Sequence, residues 1–172
     1  MSYIIVDVES DGPIPNLYSM VCFGAVILDD KLDKTFYGKT KPISDNFISS
    51  ALAISGFTRE EHILFDNPKD VMVEFKDWIL SNSKGIPTFI SDNNGYDWSF
   101  INYYFHYYIG NNPFGFSSRR IGDIYCGAVK DMSANKEWKR LRKTKHTHNP
   151  VDDAIGNAQA LLEFRKMNIK NL

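Results

Sequence analysis

The sequence predicts one α/β domain built on a mixed β-sheet, and three observations carry that expectation. Three apolar runs of strand length, separated by turn-forming residues, fill the first 41 positions. A fourth such run, over 86–91, stands alone between two helical patterns. The remainder is helical to the end of the chain, and 172 residues suffice for one well-filled core.

The elements follow in order. Residues 3–8 form a short β-branched run, and Gly12, Pro13 and Pro15 break the chain after it. Residues 20–28 make a second strand, Asp29 and Asp30 a turn, and 33–41 a third strand, giving an antiparallel meander. Thr58 and Glu61 have the spacing of a capping box, which starts one helix. Asn67 and Pro68 suit the N-cap and first position of another, whose Val71, Phe75, Trp78 and Ile79 share a face. The strand at 86–91 is bounded by Gly85 and by Asn93-Asn94-Gly95, and a strongly aromatic helix is expected from 97 to 108. A short strand at 117–121, a helix over 123–132 and a terminal helix over 152–166 complete the order β-β-β-α-α-β-α-β-α-α. No repeat or linker divides the chain, so 1–172 reads as a single domain.

Composition excludes little. Twenty basic residues against 21 acidic leave a net charge of −1, so only the placement of charge can indicate a partner. No apolar run approaches the ~18 residues of a membrane span, and the start has no basic segment before its apolar run, so a cytoplasmic protein without a membrane partner is expected. Cys22 and Cys126 lack metal-ligand spacing and read as reduced core residues.

Three clusters carry chemistry. Asp7 and Glu9 lie two apart at the end of the first strand, so both carboxylates project from one face. Two like charges held there repel unless solvent or a cation relieves them, and Mg²⁺ favours such oxygens. Asp97 opens the aromatic helix, where a plain N-cap is the competing reading and Asp92 a competing acid. His148 precedes Asp152 and Asp153 at the start of the last helix; an imidazole that titrates near neutrality suits a general base, and a surface histidine beside helix-start acids is the alternative. No cation is evident among these acids.

Together these clusters resemble the DEDD-type (DnaQ-like) 3′→5′ exonucleases, histidine subclass, to which RNase T and oligoribonuclease belong. The family's first motif is matched by Asp7-Val8-Glu9-Ser10-Asp11-Gly12, its second by Asn93-Asn94-Gly95-Tyr96-Asp97, and its last, His-x4-Asp-Ala, by His148 through Ala154. That register selects Asp97 over Asp92 and Asp153 over Asp152. Asp92 stands where a histidine is common and Tyr96 replaces the usual phenylalanine.

The resemblance implies a ribonuclease-H-like fold and hydrolysis of phosphodiester bonds at single-stranded 3′ ends, releasing nucleoside 5′-monophosphates. It implies two divalent ions, Mg²⁺ or Mn²⁺, balancing about −4 of carboxylate charge and clamping the attacking and leaving oxygens. Asp7, Glu9 and Asp153 would hold the first ion, Asp7 and Asp97 the second, and His148 would accept the proton from water. Ser10 and the amides around Asp11 and Gly12 would meet the terminal sugar, with Tyr96 beside them. The family also implies a possible homodimer.

Further contacts are read from the residues themselves. The basic run 136–145, with Arg140, Arg142 and Lys143, lies just before His148, within reach of phosphates, unless it is merely a solvated face. Ile14, Leu17 and Tyr18 are placed to wedge against a terminal base, and one or two rings of the aromatic helix to stack on bases. The substrate is RNA or DNA, with a slight lean to RNA. A catalytically silent nucleic-acid-binding domain and a small-nucleotide phosphohydrolase are the alternatives.

Overall fold

The computed structural model describes residues 2–167; the single-domain expectation for 1–172 extends at each end onto residues outside these. Strands β1 (Ser2–Ser10), β2 (Met20–Ile27), β3 (Thr35–Lys39), β4 (Pro87–Ser91) and β5 (Ser118–Arg120) form one sheet in the order β3-β2-β1-β4-β5. The first three pair antiparallel, as the turn signals require, while β4 and β5 join parallel to the other side of β1. Parallel neighbours need a crossover, which helices supply.

Those helices are α1 (Ser49–Ile54), α2 (Arg59–Ile63), α3 (Pro68–Asn82), α4 (Asn94–Ile109), α5 (Ile121–Val129) and α6 (Pro150–Phe164). The expected capping box forms at Thr58, and Asn67 caps α3 ahead of Pro68. Helix α4 begins three residues earlier than the aromatic pattern indicates, so Asp97 sits in its first turn rather than at its cap. Helix α5 covers 121–129 instead of 123–132, because Lys130 turns left-handed and ends it. Helix α1 carries no sequence-level cap, which is why the pattern did not reveal it: Ile48 makes no side-chain cap bond. The basic run holds only a short 3₁₀ turn, Glu137–Leu141.

Alternation along β1 divides its side chains between two apolar layers. Ile4, Val6 and Val8 face α3 and α4, where they meet Val71, Phe75, Phe100 and Tyr104. Ile5 faces α5 and α6, against Tyr125, Ala158, Leu161 and Phe164. By the same period of two, Asp7 and Glu9 continue the row of Ile5 and project toward α6.

A glycine lets α6 come close enough to matter. Gly24 of β2 pairs with Asp7 of β1. A Cβ on Gly24 would lie 2.3 Å from the carbonyl carbon of Pro150, the first residue of α6. The bare backbone at 24 therefore seats the N-terminal turn of α6, and with it Asp153, beside the first strand. No described helix is long and apolar enough to cross a membrane, and both cysteines are buried and unpaired with each other, as expected.

Candidate active site

Three of the four expected acids converge within one coordination sphere. A carboxylate oxygen from each of Asp7, Glu9 and Asp153 lies within 4.8 Å of the others. Asp153 is fully buried, and Asp7 and Glu9 are half-buried. Burial, reinforced by Asp97, Asp153 and Glu9, pushes the Asp7 carboxyl well above its ordinary range. Burial also raises Glu9, against the opposing pull of His148. Burial and mutual repulsion thus both disfavour the charged forms of Asp7 and Glu9.

Asp97 approaches from the other side of β1. It is 2% exposed, and burial pushes it up to about 8 despite hydrogen bonds from Ser91 and the Val8 backbone. Its Oδ2 is buried with no hydrogen-bond partner among the described residues. Asp92 has a different neighbour: Lys139 Nζ lies 2.6 Å from its Oδ2. The two competing acids thus differ in their surroundings: Asp97 raises Asp7 electrostatically, while Asp92, on the wall of the cleft beside the acids, is held by a lysine.

The loop before α6 closes over Asp153. The backbone N–H groups of Thr147 and His148 donate to its two carboxylate oxygens at 3.2 and 2.9 Å. His148 achieves this with φ of 60°, a left-handed conformation uncommon outside glycine. Its Nδ1 lies 3.4 Å from Glu9 Oε1, and its side chain is 48% exposed. His146 also reaches the site, with Nδ1 2.8 Å from Asp153 Oδ2, and the two imidazoles meet edge to face at 4.4 Å.

An internal cation is present, contrary to expectation. Arg142 donates from Nη2 to Asp153 Oδ1 at 2.8 Å, and its side chain is only 9% exposed. Gly156, one turn after Asp152, makes room for it: a Cβ there would meet Arg142 Nε at 2.7 Å. Arg142 therefore turns inward to Asp153 while still lining that cleft, whereas the side chains of Lys143 and Arg140 are 72% and 67% exposed. Counting basic residues along a segment cannot tell which one turns inward.

Beside the acids lies a cleft of about 370 Å³ whose walls include Asp7, Asp92, Lys139, Lys143, Lys145 and Asn157. Part of the basic run thus lies against the carboxylates. Asn157 carries no motif signal, yet it is fully buried, and neither of its side-chain polar atoms has a partner among the described residues. It stands four residues after Asp153, on the same helical face, and buried amides rarely stay unsatisfied unless something in the cleft meets them.

The residues expected at the terminal sugar divide. Ser10 and Tyr96 join the first and second motifs through a hydroxyl–hydroxyl hydrogen bond. Asp11 is fully buried; its amide donates to the Ser19 carbonyl and its carboxylate accepts from Ser19 N–H and Arg59. Its side chain and amide are thus already committed to holding the loop after β1. Gly12 packs under Tyr18, whose ring would be 2.2 Å from any Cβ there. That contact engages Tyr18, whereas Ile14 and Leu17 stand 55% and 47% exposed.

All donors in the acidic cluster are hard carboxylate oxygens, the set preferred by Mg²⁺ and Mn²⁺. With the unpartnered Asp97 Oδ2 beside them, the residues fit a divalent-metal centre.

Comparison with known proteins agrees. No family model matches the sequence. The chain is 38% identical over 166 residues to the 3′-5′ DNA exonuclease Cap18 of Escherichia coli, covering 95% of this chain and 86% of that protein. The nuclease domain of 3′hExo, a DEDDh family member bound to rAMP, superposes with a TM-score of 0.77 at 18% identity, over 96% of this chain and 92% of the other. Exonuclease I of E. coli in complex with single-stranded DNA gives 0.73 at 18% identity, over 99% of this chain and 41% of that one. At such identities the structures speak for the ribonuclease-H-like exonuclease fold alone. The kinship with Cap18 goes further, and by it the chain belongs to the DnaQ-like, DEDD-type family of 3′→5′ exonucleases.

Proposed function

We propose that this exonuclease removes nucleotides from single-stranded 3′ ends of DNA with the help of two divalent metal ions, Mg²⁺ or Mn²⁺. The observation that carries the reading is the convergence of Asp7, Glu9 and Asp153 on one point with Asp97 beside them. DNA replaces the slight lean to RNA because the relative at 38% identity is named a DNA exonuclease. The RNA-named structural neighbours share only 18% of the sequence.

In this proposal Asp7, Glu9 and Asp153 would hold one ion, and Asp97, with Asp7, would help to hold the other. When bound, such ions would supply positive charge to the phosphoryl oxygens and acidify the attacking water. His148 takes the proton: with Nδ1 turned to Glu9, Nε2 is the nitrogen left to accept it, and Glu9 orients the ring. Ser10 and the Gly12 backbone meet the terminal sugar with Tyr96 beside them, and Ile14 and Leu17 press on the terminal base. Exposed Arg140 and Lys143 contact phosphates.

Matched DNA and RNA oligonucleotides, single- and double-stranded, with Mg²⁺ or Mn²⁺, test this. Single-stranded DNA should turn over fastest. Faster turnover of RNA would return the substrate to the other nucleic acid without touching the metal chemistry.

A further inference from the structure

Along α4, away from the acids, stands a pair of tyrosines that the chemistry above does not use. Tyr103 and Tyr107 stack with ring centroids 5.4 Å apart and planes 16° from parallel. Tyr107 is 67% exposed. Tyr103 is fixed by its hydroxyl, which donates to Asn16 Oδ1 at 2.9 Å. Asn16 belongs to the loop that leaves β1 directly after Glu9 and Ser10, and the same loop presents Ile14 and Leu17 to solvent. Between the two tyrosines in sequence, Tyr104 is buried and accepts a hydrogen bond from the Met20 amide at 2.9 Å. Helix α4 is therefore locked in rotation, and it cannot turn to hide Tyr107.

The pair borders a cavity of about 210 Å³, shared with Asn16, Lys41, Asn67 and Pro68. Its described lining contains one cation, Lys41, and no carboxylate. A rigid aromatic face beside a lone ammonium suits a nucleobase with its phosphate: any base can stack on a tyrosine ring. Position agrees. Asp97 and Tyr107 are ten residues apart on one helix, about 15 Å at ~1.5 Å per residue. A stacked strand covers that distance in roughly four nucleotides at ~3.4 Å each.

We infer that Tyr103 and Tyr107 form a stacking subsite for a base of the single-stranded substrate, a few nucleotides upstream of the 3′ end, with Lys41 on the accompanying phosphate. This rests on the proposed exonuclease function. The subsite makes affinity depend on strand length: two nucleotides cannot reach it, and six can.

Fluorescence anisotropy with phosphorothioate-linked oligothymidylates of two, four, six and eight nucleotides tests it, since such strands resist cleavage. Affinity of the unaltered protein should rise by about fivefold or more between two and six nucleotides, the effect of one base stacked on an aromatic ring. Tyr107→Ala should remove that rise, Tyr107→Phe should keep it, and dinucleotide affinity should stay the same in all three. The exposure of Tyr107 makes its truncation safe for the fold. A Tyr107→Ala protein that retains the full gain with length would overturn the inference. So would a variant whose only change is in the sedimentation of the free protein, which would make the pair a contact between copies. Turnover of an ordinary eight-nucleotide strand is measured separately: its absence in the unaltered protein counts against the exonuclease reading, while anisotropy still decides the tyrosines.

Discussion

Replacing Arg142 with methionine isolates the cation built into the acidic cluster. Arg142 Nη2 and Asp153 Oδ1 lie 2.8 Å apart with both side chains withdrawn from water. Removing one partner of a buried pair costs ~3–5 kcal/mol. The lower figure applies here, because His146 and the amides of Thr147 and His148 still hold the carboxylate. For a chain of this size each kcal/mol moves Tm by ~2–4 °C, so a drop of about 6–12 °C is expected for Arg142→Met in EDTA. A divalent ion restores the missing positive charge, and in excess Mg²⁺ the difference should fall to less than half. Thermal melts of both proteins in EDTA and in Mg²⁺ measure it. An equal drop in both media, or none in EDTA, would refute the role of Arg142 as counter-ion to the acids.

Three other outcomes follow from the same site. Arg140→Gln with Lys143→Gln should raise KM for single-stranded oligonucleotides and reduce the salt slope by up to ~1.4, about 0.7 per lost phosphate contact; Arg142→Met should leave that slope unchanged. His148→Ala should lower kcat by ~10²–10⁴-fold with oligonucleotide binding retained, while His146→Ala stays within about tenfold of the unaltered enzyme; a reversed order would move the proton acceptor, and the register of the last motif with it. Asp97 has its folded pKa raised to about 8 from an ordinary 3.8. Its stabilising contribution is therefore fully present below the ordinary value and lost as pH rises through the folded one. In EDTA, Tm should therefore fall more steeply between pH about 4 and about 8 in the unaltered protein than in Asp97→Asn, and Mg²⁺, which favours the ionised acids, should shrink that difference; identical pH profiles for the two proteins in EDTA would contradict the raised pKa of Asp97.

The sheet and the acids were legible because each depends on local periodicity. Alternation in β1 places Asp7 and Glu9 on one face, and the turn and cap residues mark the meander, α2 and α3. What escaped depends on contacts between distant segments. Gly24 reads as an ordinary strand glycine until Pro150 is seen against it. Arg142 looks like its basic neighbours until Gly156 opens a slot that turns it toward Asp153. Asp11 belongs to the first motif, yet Arg59 and Ser19 claim its carboxylate. Asn157 carries no pattern at all, and only its burial without partners marks it.

The most direct measurement follows a 5′-labelled single-stranded DNA through time, with Mg²⁺ and with EDTA. The account predicts a ladder that shortens from the 3′ end one nucleotide at a time, release of nucleoside 5′-monophosphates, and no products in EDTA or from Asp7→Asn. Internal cuts, shortening from the 5′ end, or undiminished products in EDTA would contradict it.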